Sequence, residues 1–146
     1  MIEIIYSIIA FLLLWVPAFL CHEIMHSLEA RRQGCKTRID MWIHKGIPSM
    51  RCIVTEGTLK NKWLFALAGG LYTSIILIII SWIASGMPWL AASVGTLAII
   101  NFIYSLYEAT FLHKIPLATY MKYHYFVYAI GIVIGIIMYY YIFGVM

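Results

Sequence analysis

Two histidines flank a glutamate in the run His22-Glu23-Ile24-Met25-His26. On a helix, residues four apart share a face, so His22 and His26 can offer two imidazoles to one metal ion. Glu23 falls between them around the helix, roughly 100° from His22 and 60° from His26 at ~3.6 residues per turn. Its carboxylate is therefore placed to hold a water beside the ion rather than the ion itself. Two imidazole ligands with an adjacent carboxylate base are what a zinc hydrolase needs. The run ends an apolar stretch of membrane-span length. A charge inside hydrocarbon costs ~2.5–3.5 kcal/mol on insertion scales, so such residues are seldom left there without a use.

The elements that carry these residues must be membrane helices. Of 146 residues, 64% are hydrophobic and only 11% are charged, and the mean hydropathy is +0.92. A soluble domain of this size cannot hide so much apolar surface. The chain reads as a single integral-membrane domain, 1–146. Crossing ~30 Å of hydrocarbon takes ~20 apolar residues in a helix. Four segments meet that length: 2–25, 63–84, 89–112 and 123–145. The expected fold is thus an all-α membrane protein with four transmembrane helices. The first segment has no basic leader and too long an apolar stretch for a cleavable signal.

Charge placement gives an orientation. All ten Lys and Arg lie in two connections, one running from Arg31 to Lys62 and the other holding Lys114 and Lys122. Both connections face one side of a four-span protein, and the excess of positive charge makes that side cytoplasmic. A multi-pass cell-membrane protein with both termini outside follows, its reactive residues near the cytoplasmic face. The net charge of +4 reports this topology, and nucleic acid is not an expected partner. Cys21, Cys35 and Cys52 show no CxxC spacing and read as packing residues.

Between the first two spans the helical pattern stops, over 35–58. Arg38-Ile39-Asp40-Met41-Trp42-Ile43 and Met50-Arg51-Cys52-Ile53-Val54-Thr55 are rich in β-formers. They flank His44-Lys45-Gly46-Ile47-Pro48-Ser49, whose Gly and Pro favour a turn. A short cytoplasmic β-hairpin is expected. It is either a plain link between helices or an open strand edge that holds a peptide in extended form.

A catalytic zinc usually has three protein ligands and an open position. Glu108 is the other carboxylate deep in a span. His22 lies about 20 residues from the outer end of the first span, ~30 Å along the helix. Glu108 lies about 19 residues into the third span, which runs the same way, giving ~28 Å. The two therefore meet at one level. Asp40, His44, His113 and His124 are the competing ligands. Asn101, two turns before Glu108, is a buried amide that bonds across helices or, facing the metal, binds substrate backbone or stabilises the oxyanion.

Taken together, these residues resemble the site-2 protease family of intramembrane zinc metalloproteases. The stretch from His22 to Arg32 looks like that family's HELGHALAAR-type segment, in which both His bind zinc and the Glu is the general base. Ala66-Leu67-Ala68-Gly69-Gly70 is similar to its small-residue Gly-Pro element. Asn101 through Glu108 looks like its Asn-x-x-Pro-x-Pro-x-x-Asp-Gly element, which supplies the third ligand and a substrate-binding Asn. Here both prolines and the Gly are absent, and Glu stands one residue early in place of Asp, which implies a more regular third helix and a minimal, divergent member. The resemblance covers the first three spans.

The expectation is then a zinc endopeptidase holding one Zn²⁺ per chain through His22, His26 and Glu108, with Glu23 as base and Asn101 at the substrate. Its partners are the bilayer and a membrane-embedded or membrane-associated peptide. The alternatives are a membrane metal-binding or transport protein and an inactive, adaptor-like relative. Polar groups spread along a path would mark transport; here they gather at one depth.

Overall fold

The computed structural model describes residues 2–44 and 47–111, together with 126, 129–134 and 137. The first helix, α1, spans Ile2–Arg32, running past the expected boundary at 25. Hydropathy marks where lipid ends, whereas the helix continues because Leu28, Glu29, Ala30, Arg31 and Arg32 are good helix formers. It stops at Gly34, whose φ of 88° only glycine takes without penalty. Gly34 N–H donates to Arg31 O at 2.9 Å and Cys35 N–H to Ala30 O at 2.9 Å, the paired bonds of a Schellman end.

Two antiparallel strands follow, β1 (Lys36–His44) and β2 (Ile47–Glu56). His44 pairs with Ile47, so the connection is two residues, tighter than the six-residue turn expected from its Gly and Pro. The hairpin is tied to α1 at its base, where the hydroxyls of Ser27 and Thr37 lie 2.6 Å apart. Gln33 closes that base from the other side: its Oε1 accepts from Asn61 N–H at 2.8 Å and its Nε2 donates to Asn61 O at 3.1 Å.

Asn61 also caps α2 (Lys62–Ile83), its side chain accepting from Leu64 N–H at 2.8 Å. A short 3₁₀ turn, Ala84–Gly86, leads into α3 (Pro88–Phe111), with proline at the first helical position, where its missing N–H costs nothing. All three helices are long and apolar enough to cross a membrane. Of the fourth expected span, the described residues 126, 129–134 and 137 are helical, and the remainder of 123–145 lies outside the described residues.

Side-chain bonds fix how the helices run. Ser7 donates to Trp89 O at 3.1 Å near one end, and His22 faces Asn101 near the other, so α1 and α3 are parallel. Ser74 donates to Ala98 O at 2.9 Å and Ser81 to Ala91 O at 2.7 Å, so α2 runs antiparallel to α3. Where these helices meet, the buried residues are mostly small: Ala66, Ala68, Gly69, Gly70 and Ser74 on α2, and Ala91, Ala92 and Ala98 on α3. Lipid tails are as apolar as Leu, so helices associate there through close packing and interhelical bonds, which small residues allow. Ala18, Leu77, Val94, Leu97 and Ala98 form the apolar core. Leu12, Leu13, Ile78, Ile79 and Trp82 stay exposed on the outer faces.

Candidate metal centre

One turn of α1 separates His22 from His26, and their rings meet edge to face with centroids 4.7 Å apart. Their Nε2 atoms are 3.0 Å apart. Across from them, Glu108 of α3 brings Oε2 to 3.1 Å from His22 Nε2 and 3.2 Å from His26 Nε2. The three side chains are 0%, 6% and 10% exposed, so water screens little of what holds them together.

The other ring nitrogens decide what these three atoms are. His26 Nδ1 lies 2.7 Å from Phe65 O, a carbonyl that can only accept. His26 Nδ1 therefore carries a hydrogen. At Asn101, Nδ2 donates to Leu97 O at 2.8 Å, which turns Oδ1 toward His22 Nδ1 at 3.2 Å. His22 Nδ1 is then also a donor. In the neutral imidazoles both Nε2 atoms are consequently lone-pair acceptors. Two imidazole lone pairs and a carboxylate oxygen converge on one point, and like-charged lone pairs at hydrogen-bond distance repel. A single proton bridges one edge of the triangle and leaves two edges unrelieved. A cation relieves all three.

The donor set suits zinc. Tetrahedral donors ~2.0–2.1 Å from the ion sit ~3.3 Å apart, against edges of 3.0–3.2 Å here. A ligand histidine donating its second N–H to a carbonyl oxygen is the usual outer-shell pattern, since it fixes the tautomer and ring orientation. His22, His26 and Glu108 form a buried group that could hold a metal ion.

Neighbours hold the rings in place. Phe65 lies 4.9 Å from the His26 ring, and Tyr104 lies 5.4 Å from that of His22. Gly69 faces His26 so closely that a Cβ would sit 2.6 Å from its Cδ2 and Cε1. A Cβ at Gly70 would likewise collide with Asn101 O and come 2.6 Å from Ser105 Cβ. The two glycines thus let α2 press against both ligand-bearing helices.

Glu23 is buried beside the donor group without joining it. Its Oε2 accepts from Cys52 N–H at 2.5 Å, so the carboxylate is pinned to the side of β2 facing away from β1. Burial, with the Glu23 carboxylate nearby, pushes the Cys52 thiol up to about 11, keeping it neutral at physiological pH.

Among the competing ligands, Asp40 pairs instead with Arg38, its Oδ1 2.6 Å from Nε, out on the hairpin. The side chain of His44 and all of His113 and His124 lie outside the described residues. Asn101, which the resemblance assigns to substrate, has both polar ends engaged inside the protein, with His22 and Leu97. Sequence reasoning missed the Phe65 carbonyl and the Cys52 N–H. Backbone groups carry no residue-type signal, so only the folded chain could reveal them.

These features define a helical membrane protein with a buried His/His/Glu group fit for a metal ion. No family model, curated protein or solved structure matches the chain.

Proposed function

We propose that the protein is an intramembrane zinc endopeptidase, similar in its chemistry to the site-2 proteases. One observation carries the reading: three buried acceptor atoms converge within 3.0–3.2 Å while a fourth buried group, the Glu23 carboxylate, lies beside them on a strand edge. Zinc held by His22, His26 and Glu108 would supply Lewis acidity, acidifying water and polarising a peptide carbonyl.

The chain's own residues supply the rest. Glu23 accepts a proton from water as its oxygen bonds to the scissile carbonyl carbon, and passes that proton to the amine nitrogen as the C–N bond breaks. Asn101 and the Phe65 carbonyl hold the two imidazoles in the ligating tautomer. The edge of β2 offers backbone groups to an extended peptide next to Glu23. Inside a helix a peptide bond is shielded, so a substrate segment must be drawn into extended form first.

Depth supports a site reached from one face. His22 is about 20 residues from the start of α1, ~30 Å at ~1.5 Å per residue, which is the full hydrocarbon thickness. Hairpin and site share that end, and its basic residues assign it to the cytoplasm. A cysteine placed at Ser85 should then react with an external impermeant reagent, and one at Lys45 should not; the opposite labelling inverts the topology.

The test of the chemistry is Glu23→Gln. This variant should retain about one zinc per chain and cleave no membrane-embedded peptide, while His26→Ala should lose both metal and cleavage. Full cleavage by Glu23→Gln would refute the mechanism. A metal-carrying protein, by contrast, would tolerate Glu23→Gln.

A further inference from the structure

Thr73 of α2 is 0% exposed, yet its hydroxyl has no hydrogen-bond partner among the described residues. Four other helical hydroxyls among the described residues donate to the carbonyl four residues earlier. Ser74 does so to Gly70 O at 2.6 Å, Ser93 to Trp89 O at 2.8 Å, Thr96 to Ala92 O at 2.8 Å and Thr110 to Leu106 O at 2.6 Å. Thr73 does not. A buried polar group without a partner costs free energy and marks a place where a partner belongs.

The position of Thr73 follows from helix register. Gly69 packs on the His26 ring. Leu77 shares a cluster with Ala18. Thr73 is one turn from each on α2, and His22 is one turn from His26 and from Ala18 on α1. Because the helices are antiparallel, the pairs Gly69/His26, Thr73/His22 and Leu77/Ala18 form a ladder in steps of four. Helix register thus carries Thr73 along the same α2 stripe as Gly69 to the level of His22, one turn deeper in the membrane.

Resting on the peptidase reading, we propose that the Thr73 hydroxyl is a catalytic donor to the carbonyl oxygen of the scissile peptide bond. As water adds to the carbonyl carbon, negative charge gathers on that oxygen. A donor already in place and shielded from water stabilises the charge without reorganisation. The hydroxyl has no partner among the described residues because its partner arrives with the substrate. Asn101 is held in place by other bonds, its Oδ1 facing His22 and one Nδ2 hydrogen donating to Leu97 O.

Thr73→Val keeps the shape of the side chain and removes the hydroxyl; Thr73→Ser keeps the hydroxyl. In detergent-solubilised protein Thr73→Val should bind the same amount of zinc and cleave a transmembrane peptide with kcat lowered on the order of 10²-fold, KM staying within about twofold. Thr73→Ser should recover most of the rate. The metal-free Thr73→Val protein should melt at or above the wild-type temperature, because no bond is lost in the resting state. A clear drop in that melting temperature would reveal a structural hydrogen bond and overturn the proposal. A wild-type rate in Thr73→Val beside an inactive Glu23→Gln would overturn the Thr73 role alone. Undiminished cleavage by Glu23→Gln would remove the peptidase reading and this role with it.

Discussion

His22 Nδ1 faces the amide oxygen of Asn101 at 3.2 Å, and the amide is locked in that sense because its nitrogen donates to Leu97 O. Two bonds on α3 thereby choose the tautomer of a ligand on α1. Asn101→Asp preserves an accepting oxygen, whereas Asn101→Leu removes it. Zinc affinity, read by competition with a chelator, should fall roughly 10–100-fold in Asn101→Leu and far less in Asn101→Asp. Equal affinities in the two variants would deny Asn101 its hold on His22.

Glu108 brings one carboxylate oxygen to 3.1 Å from the His22 imidazole and 3.2 Å from that of His26. Shortening it to Asp pulls the oxygen back by one methylene, so Glu108→Asp should bind zinc weakly and Glu108→Ala hardly at all. Asp40→Ala should leave the metal content unchanged, because that carboxylate is engaged with Arg38. Metal analysis of the purified variants decides the matter, and loss of zinc in Asp40→Ala alone would redirect the third ligand to the hairpin.

At Gly69 the constraint is space. A methyl there meets the His26 ring on its Cδ2, Cε1 and Nε2 atoms. Overpacking of this kind costs ~1–3 kcal/mol, and it should also displace the ligand. Gly69→Ala is expected to lower both melting temperature and zinc content. Gly86→Ala, where a Cβ meets nothing within 4 Å, is the control and should change neither.

Cys52 acts through its backbone. Its N–H reaches Glu23 Oε2 at 2.5 Å, while its thiol stays neutral below about 11. Cys52→Ala should therefore cleave peptide at close to the wild-type rate. Cys52→Pro lacks the N–H and should lose most of the rate while retaining zinc, since Glu23 is outside the donor group. Strong loss in Cys52→Ala would shift the role to the sulfur.

Much of this arrangement is readable from the chain. Helix geometry repeats every ~3.6 residues and rises ~1.5 Å per residue whatever the neighbours, so the spacing of His22 and His26 puts them on one face. The same constant rise places Glu108 at the level of His22, in agreement with their 3.1 Å separation. Hydropathy likewise marks the three described spans, because transfer into lipid is a sum over side chains. The end of α1 at Arg32 was not legible this way, since backbone hydrogen bonding outlasts the apolar stretch until Gly34 breaks it.

Tertiary structure alone decided which atom of each group faces which. The tautomers of His22 and His26 depend on Asn101 and on the Phe65 carbonyl, and the pose of Glu23 depends on the Cys52 N–H. Every residue but proline carries the same N–H and C=O, so no residue type announces such a partner. The closeness of Gly69 to His26, and the burial of a Thr73 hydroxyl with no partner among the described residues, arise from how the helices pack. That packing is set by shape complementarity among many small residues at once, which no local pattern along the chain encodes.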